Sequence, residues 1–178
     1  ELELELAREG IPYVKYGGFK FLESSHIKDL LTHLRVITNK NDIISWGRIL
    51  RLVKNIGQKK SQTIIEWLKS QPAESIDLEK WPGMGKKDEG LKALAGLLKR
   101  LSEKDIKPLK AVELAYAYYD PILRENYDNY PKREKDLEQL MVMAERFKSL
   151  SSFLDELVLD PPSSSADIAP DASGNEDD

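Results

Sequence analysis

Trp81-Pro82-Gly83-Met84-Gly85-Lys86-Lys87 decides the fold class, because a Pro-Gly turn here runs straight into a strongly periodic segment. Leu91, Leu94, Ala95, Leu98 and Leu101 follow at the i, i+3, i+4, i+7 spacing of one helix face, which predicts a helix starting at or just after the lysines. An anion at such a helix start would meet free backbone N–H groups, the positive end of the dipole and two ammonium groups. A weaker version stands upstream, where Val53-Lys54-Asn55-Ile56-Gly57-Gln58-Lys59-Lys60 precedes Ile64, Ile65 and Leu68 on one face of another helix. Two hairpins, each feeding a helix with lysines in its first turn, predict a pair of helix-hairpin-helix elements. The candidate phosphate contacts are Asn55, Ile56, Gly57, Gln58, Lys59 and Lys60 in the first, and Gly83, Met84, Gly85, Lys86 and Lys87 in the second. The same glycines also suit hairpins that only turn the chain between packed helices.

Charge is distributed in keeping with a nucleic-acid surface. The net charge of −4 includes 8 acids and no bases from Asp155 onward, so residues 1–154 hold 27 bases against 23 acids, a net +4. Between Arg48 and Lys110 there are 15 bases and 8 acids, a local +7 around both hairpins. Lysine-rich helix faces are also often plain solvated surface. The chain has no cysteine, which excludes a disulfide scaffold and a cysteine-based zinc site and fits a reducing, cytoplasmic setting. No apolar run approaches the roughly 20 residues that cross a bilayer, and no signal peptide is recognisable, so no membrane role is expected. The start without Met, inside Glu-Leu-Glu-Leu-Glu-Leu, reads as part of a longer protein.

Elsewhere the reading is mainly α, a helical bundle with one short strand. Residues 1–9 alternate acidic and apolar, a period that favours a strand in residue types that also favour helix. Ile11-Pro12-Tyr13-Val14-Lys15-Tyr16 is a β-prone run closed by Gly17-Gly18. With Ser24 or Ser25 as N-cap, Ile27, Leu30, Leu31 and Leu34 mark an amphipathic helix, and Asn39–Asp42 break it and cap the next. Gln71–Lys80 forms a connector, Lys107-Pro108 separates two helices, and Tyr127–Pro131 is a polar loop. Leu137, Leu140, Met141 and Ala144 form a further stripe, and Ser152-Phe153-Leu154-Asp155 reads as a capping box opening a last helix. After Pro161-Pro162 the composition turns to Ser, Asp, Pro and Ala without aromatics, which predicts a disordered acidic linker over 161–178.

Tyr16-Gly17-Gly18-Phe19-Lys20-Phe21-Leu22-Glu23, followed by His26-Ile27-Lys28-Asp29-Leu30-Leu31-Thr32-His33-Leu34-Arg35, resembles the superfamily 1 DNA helicases of the UvrD/PcrA/Rep type. In that family "YGG-x-x-F" precedes a helix that begins "E-I-K-D" and ends "Y-L-R". Asn39, Asn41 and Asp42 fall at its "N-x-x-D" turn, Ile56-Gly57 at its "G-I-G" hairpin, and Arg133 with Leu137-Glu138-Gln139-Leu140 at its "R-x-x-N-L-E-E-L" helix. His26 and His33 stand where the family usually has an acid and a Tyr, and Asn55 where it has the first Gly. Asn is the next best occupant after Gly of a position with positive φ.

The resemblance implies that residues 1–38 are the edge of the second RecA-like motor domain, and 39–160 the helical insertion called subdomain 2B. It implies a segment that engages duplex or forked DNA through phosphates and contacts the motor domains of its own chain, in a helicase that serves DNA repair or replication. ATP and Mg would belong to the parent and no cofactor to this segment, because the Gly-x-x-x-x-Gly-Lys-Ser/Thr loop is missing here. No paired carboxylates in an apolar setting are present, so no catalytic residue is assigned. His26 and His33 lack further metal ligands and read as packing residues. Trp46, Trp67 and Trp81 sit among Ile and Leu and read as core more than as stacking platforms. The alternatives are a stand-alone tandem helix-hairpin-helix DNA-binding module and a helical protein-interaction domain.

Overall fold

The computed structural model describes Glu9, residues 18–72 and residues 77–159; the β-prone run Ile11–Tyr16 and the acidic segment 161–178 lie outside these. Among the described residues there are eight α-helices and no strand: α1 Gly18–Glu23, α2 Ser25–Thr38, α3 Ile43–Leu52, α4 Gln58–Ser70, α5 Glu89–Leu101, α6 Pro108–Asn126, α7 Tyr130–Ala144 and α8 Leu150–Leu159. A single 3₁₀ turn, Leu78–Lys80, precedes α5.

Helix α2 is the axis of the bundle and touches α1, α3, α5, α6, α7 and α8. Its stripe reads out as expected: Ile27, Leu30 and Leu34 are completely buried. The face opposite the stripe is buried too, so α2 carries polar groups inward that must find partners. Asp29 takes a hydrogen bond from Tyr119 Oη of α6 (2.7 Å) and one from Arg48 Nε of α3 (2.6 Å). His26 Nε2 lies 2.7 Å from Asp136 of α7, and Arg133 donates to His26 Nδ1 at 2.8 Å, which fixes the proton on Nε2. Burial lowers the His26 imidazole against the opposing pull of Asp136. His33 Nδ1 lies 2.7 Å from the Asp29 carbonyl, while its Nε2 is buried without a partner. Burial pushes that ring down to about 4.

Two apolar clusters pack against this axis. One joins Ile27, Leu30 and Leu34 to Tyr119, Leu123, Leu137, Leu140 and Phe153. The other gathers Trp46, Ile49, Leu50, Val53, Ile56, Ile64, Leu68, Trp81, Leu91 and Leu94, and it carries both hairpins. Trp46 and Trp81 are therefore core, 2% and 8% exposed, and Trp67 packs half-buried beside them.

Helix α5 starts at Glu89, just after the lysines as expected, but Lys86 and Lys87 stand in a turn ahead of it and not in its first turn. Two boundaries differ from the sequence reading. Helix α8 starts at Leu150, and the supposed capping box lies inside it because Ser149 Oγ takes the Ser152 N–H instead. Helix α7 takes in Tyr130 and Pro131, since Pro tolerates the first helical turn.

Candidate nucleic-acid interface

The first hairpin, Val53 to Gly57, joins α3 to α4. Val53 and Ile56 point into the core, 5% and 6% exposed, and the Ile56 N–H closes the turn on the Val53 carbonyl at 3.1 Å. Between them Asn55 adopts φ 66, the left-handed conformation that favours Gly and, after it, Asn. With both apolar ends pinned inward, Lys54, Asn55, Gly57, Gln58 and Lys59 face solvent. Gly57 is the N-cap of α4 and offers no side chain to that helix's first turn. A Cβ built on it would meet nothing within 4 Å, so the space beside this cap position is open. The result is an uncapped helix N-terminus facing outward, with the partial positive charge such an end carries.

Beside it runs a groove of about 750 Å³, walled by Arg51 to Gly57, by Gly90 and Ala93 of α5, and by Tyr118, Ile122, Glu125 and Asn126 of α6. Among the described residues Lys59 has no ion pair, and Lys54 meets Glu125 at 3.4 Å with both side chains largely exposed, a contact of little energy. Neither the Arg51 contribution nor the α6 wall is legible in the sequence, because both come from helix packing.

The second hairpin is built differently. It is preceded by the three-residue 3₁₀ turn and not by a helix, so the two hairpins are not a matched pair of helix-hairpin-helix elements. The Trp81 ring folds over Gly83, where a Cβ would come within 2.4 Å of it, so a larger residue there would have to displace the ring. Met84 is half-buried against the second cluster. Three N–H groups are spent inside the turn: Met84 donates to the Trp81 carbonyl (3.0 Å), Gly85 to Asp88 Oδ2 (2.8 Å) and Asp88 to the Gly85 carbonyl (3.2 Å), while the Asp88 side chain makes no cap to α5. Lys86 and Lys87 are exposed and, among the described residues, without an ion pair.

The hairpins meet. Gly90 lies against Val53 so closely that a Cβ would sit 2.9 Å from Val53 Cγ1. Lys60 of α4 reaches Asp88 Oδ1 at 2.7 Å and stands 5.7 Å from the Trp81 ring centroid. Of the six candidate residues in the first hairpin, Lys60 is thus turned toward the second, and Ile56 is buried. The Lys60 ammonium and the Gly85 N–H hold the Asp88 carboxyl below its ordinary value. Among the described residues no group of three metal-ligating side chains occurs, and no helix is long and apolar enough to cross a membrane.

A helical bundle organised on the "I-K-D" helix, with an outward-facing hairpin at the "I-G" position, defines the class. The chain belongs to the UvrD-like helicase C-terminal domain family, whose profile matches residues 1–158. Among individual relatives, the ATP-dependent DNA helicase PcrA of Staphylococcus epidermidis is 49% identical over 53 residues, 30% of this chain and 7% of that protein. PcrA of Staphylococcus aureus is 45% identical over 53 residues, with the same coverage. The matched stretch is thus a small part of these relatives' length. No solved structure matches the chain.

Proposed function

We propose that this chain is the non-catalytic, duplex-engaging and regulatory part of an ATP-dependent DNA helicase that moves on single-stranded DNA and unwinds duplex. The observation that carries this is the uncapped N-terminus of α4 behind Gly57, open to solvent, flanked by Lys54 and Lys59, and located where the family has its own hairpin. Backbone N–H groups and lysines read phosphates without regard to sequence, which suits a surface that tracks duplex ahead of a moving motor. ATP and Mg would be bound by the parent's motor domains, and chemistry would reside there.

Gly57→Asp tests this directly. The carboxylate would cap the first turn of α4, leaving stability unchanged or a few tenths of a kcal/mol higher, while placing negative charge where a phosphate must sit. Weaker binding of a fluorescent duplex with a single-stranded tail, by a variant that melts no earlier than wild type, supports the reading. Unchanged affinity for the tailed duplex overturns it.

A second reading, a protein-interaction surface, is favoured by one observation: Ile44 and Val158, 82% and 63% exposed, line the same groove between α3 and α8.

A further inference from the structure

Asp88 sits at the junction of the two hairpins and takes two donors of different origin. One is the Lys60 ammonium at 2.7 Å, from the first turn of α4; the other is the Gly85 backbone N–H at 2.8 Å, from the glycine turn. A lysine and a glycine N–H converging on one oxygen-bearing group is the donor set that binds a phosphate oxygen. Here the group is the chain's own carboxylate. Its side chain keeps only 18% of its exposure and that of Lys60 32%, so the contact is sheltered without being sealed. Lys86 and Lys87 lie just ahead of it, with exposed ammonium groups and no ion pair among the described residues.

We propose that Lys60 and the Gly85 N–H form an anion cradle which Asp88 keeps closed, so that Asp88 sets how many DNA phosphates the interface engages. The proposal rests on the phosphate-binding reading given above and specifies how that surface is limited. With Asp88 in place, Lys60 is neutralised within the protein and the second hairpin offers no free N–H at Gly85. Without that charge, the phosphate surface would extend from the first hairpin onto the second, across the Gly90–Val53 contact.

The experiment is a salt titration of tailed-duplex binding by the full 178-residue chain as wild type, Asp88→Asn, Lys60→Ala and the double variant. Each phosphate neutralised adds about 0.9 to the steepness of log K against log salt. Asp88→Asn should steepen it by about 0.9 and tighten binding at low salt. Lys60→Ala alone should leave the wild-type slope, because that lysine is already withheld, and the double variant should return to it. Asp88→Ser, which keeps a side-chain oxygen without the charge, carries the same expectations should Asp88→Asn melt early. A loss of about 0.9 in Lys60→Ala alone overturns the inference, since Lys60 would then already be on the DNA. So does a gain in Asp88→Asn that persists in the double variant, which would be general charge removal. A wild type that binds beside an Asp88→Asn that behaves identically overturns this inference alone; absence of binding in all four overturns the phosphate-binding reading with it.

Discussion

The two hairpins share a composition, apolar residue, glycine and a lysine pair, and end in opposite states. In the first, the residue before the helix is Gly57, which has nothing with which to cap α4, and the turn is held by Val53 and Ile56 in the core. In the second, the residue before the helix is Asp88, whose carboxylate bends back to the Gly85 N–H and across to Lys60. The first turn is open, whereas the second is closed upon itself by Asp88. Neither Gly57 nor Asp88 makes a side-chain cap to the helix that follows it, so the hairpins differ in the turn itself, where the Asp88 carboxylate occupies the Gly85 N–H and the Lys60 ammonium.

The largest expected effect tests the support both hairpins share. The His33 imidazole lies at about 4 in the folded protein against an ordinary 6.5, so as pH falls between those values the unfolded chain takes up a proton that the folded chain refuses. Stability should thus decline from pH 6.5 to 4, by on the order of 3 kcal/mol, and level off below. His33→Phe should reduce that pH dependence in chemical denaturation and leave the smaller part that the lowered His26 imidazole contributes. The Asp88 carboxyl lies below its ordinary 3.8, so the Lys60 clamp persists through this window and is lost only at lower pH. Carboxylate NMR titration of Asp88 should show its midpoint rising in Lys60→Ala; an unmoved midpoint would remove the clamp from the comparison.

Next in size, Gly83→Ala should cost about 1–3 kcal/mol in thermal melts, because its methyl must displace the Trp81 ring from the core. Gly57→Ala, with open space in front of it, should change stability by no more than about 0.5 kcal/mol. Equal costs at the two glycines would break the contrast. Asn55→Ala should cost about 1–2 kcal/mol for the left-handed conformation, whereas Asn55→Gly should be close to neutral.

Local signals were readable in the sequence where local physics decides. The α2 stripe, the Asp42 cap that takes the Ser45 N–H at 3.0 Å, Pro108 at the start of α6 and the positive φ at Asn55 all follow from residue type and spacing. The unequal fate of the hairpins was not readable, since it depends on Asp88 reaching Lys60, 28 positions upstream. The polar links of α2 to Tyr119 and Asp136, 90 and 110 positions away, are likewise products of tertiary packing. The helix start at Leu150 escaped the reading because Ser149 Oγ takes the Ser152 N–H.

The central claim, that the open hairpin and not the closed one meets DNA, is tested most directly by the salt dependence of tailed-duplex binding in two variants. Lys54→Ala/Lys59→Ala alters the first hairpin and Lys86→Ala/Lys87→Ala the second. The slope should be shallower by about 0.9 per lysine removed in the first variant and unchanged in the second. A wild-type slope in the first, with the loss confined to the second, would contradict it.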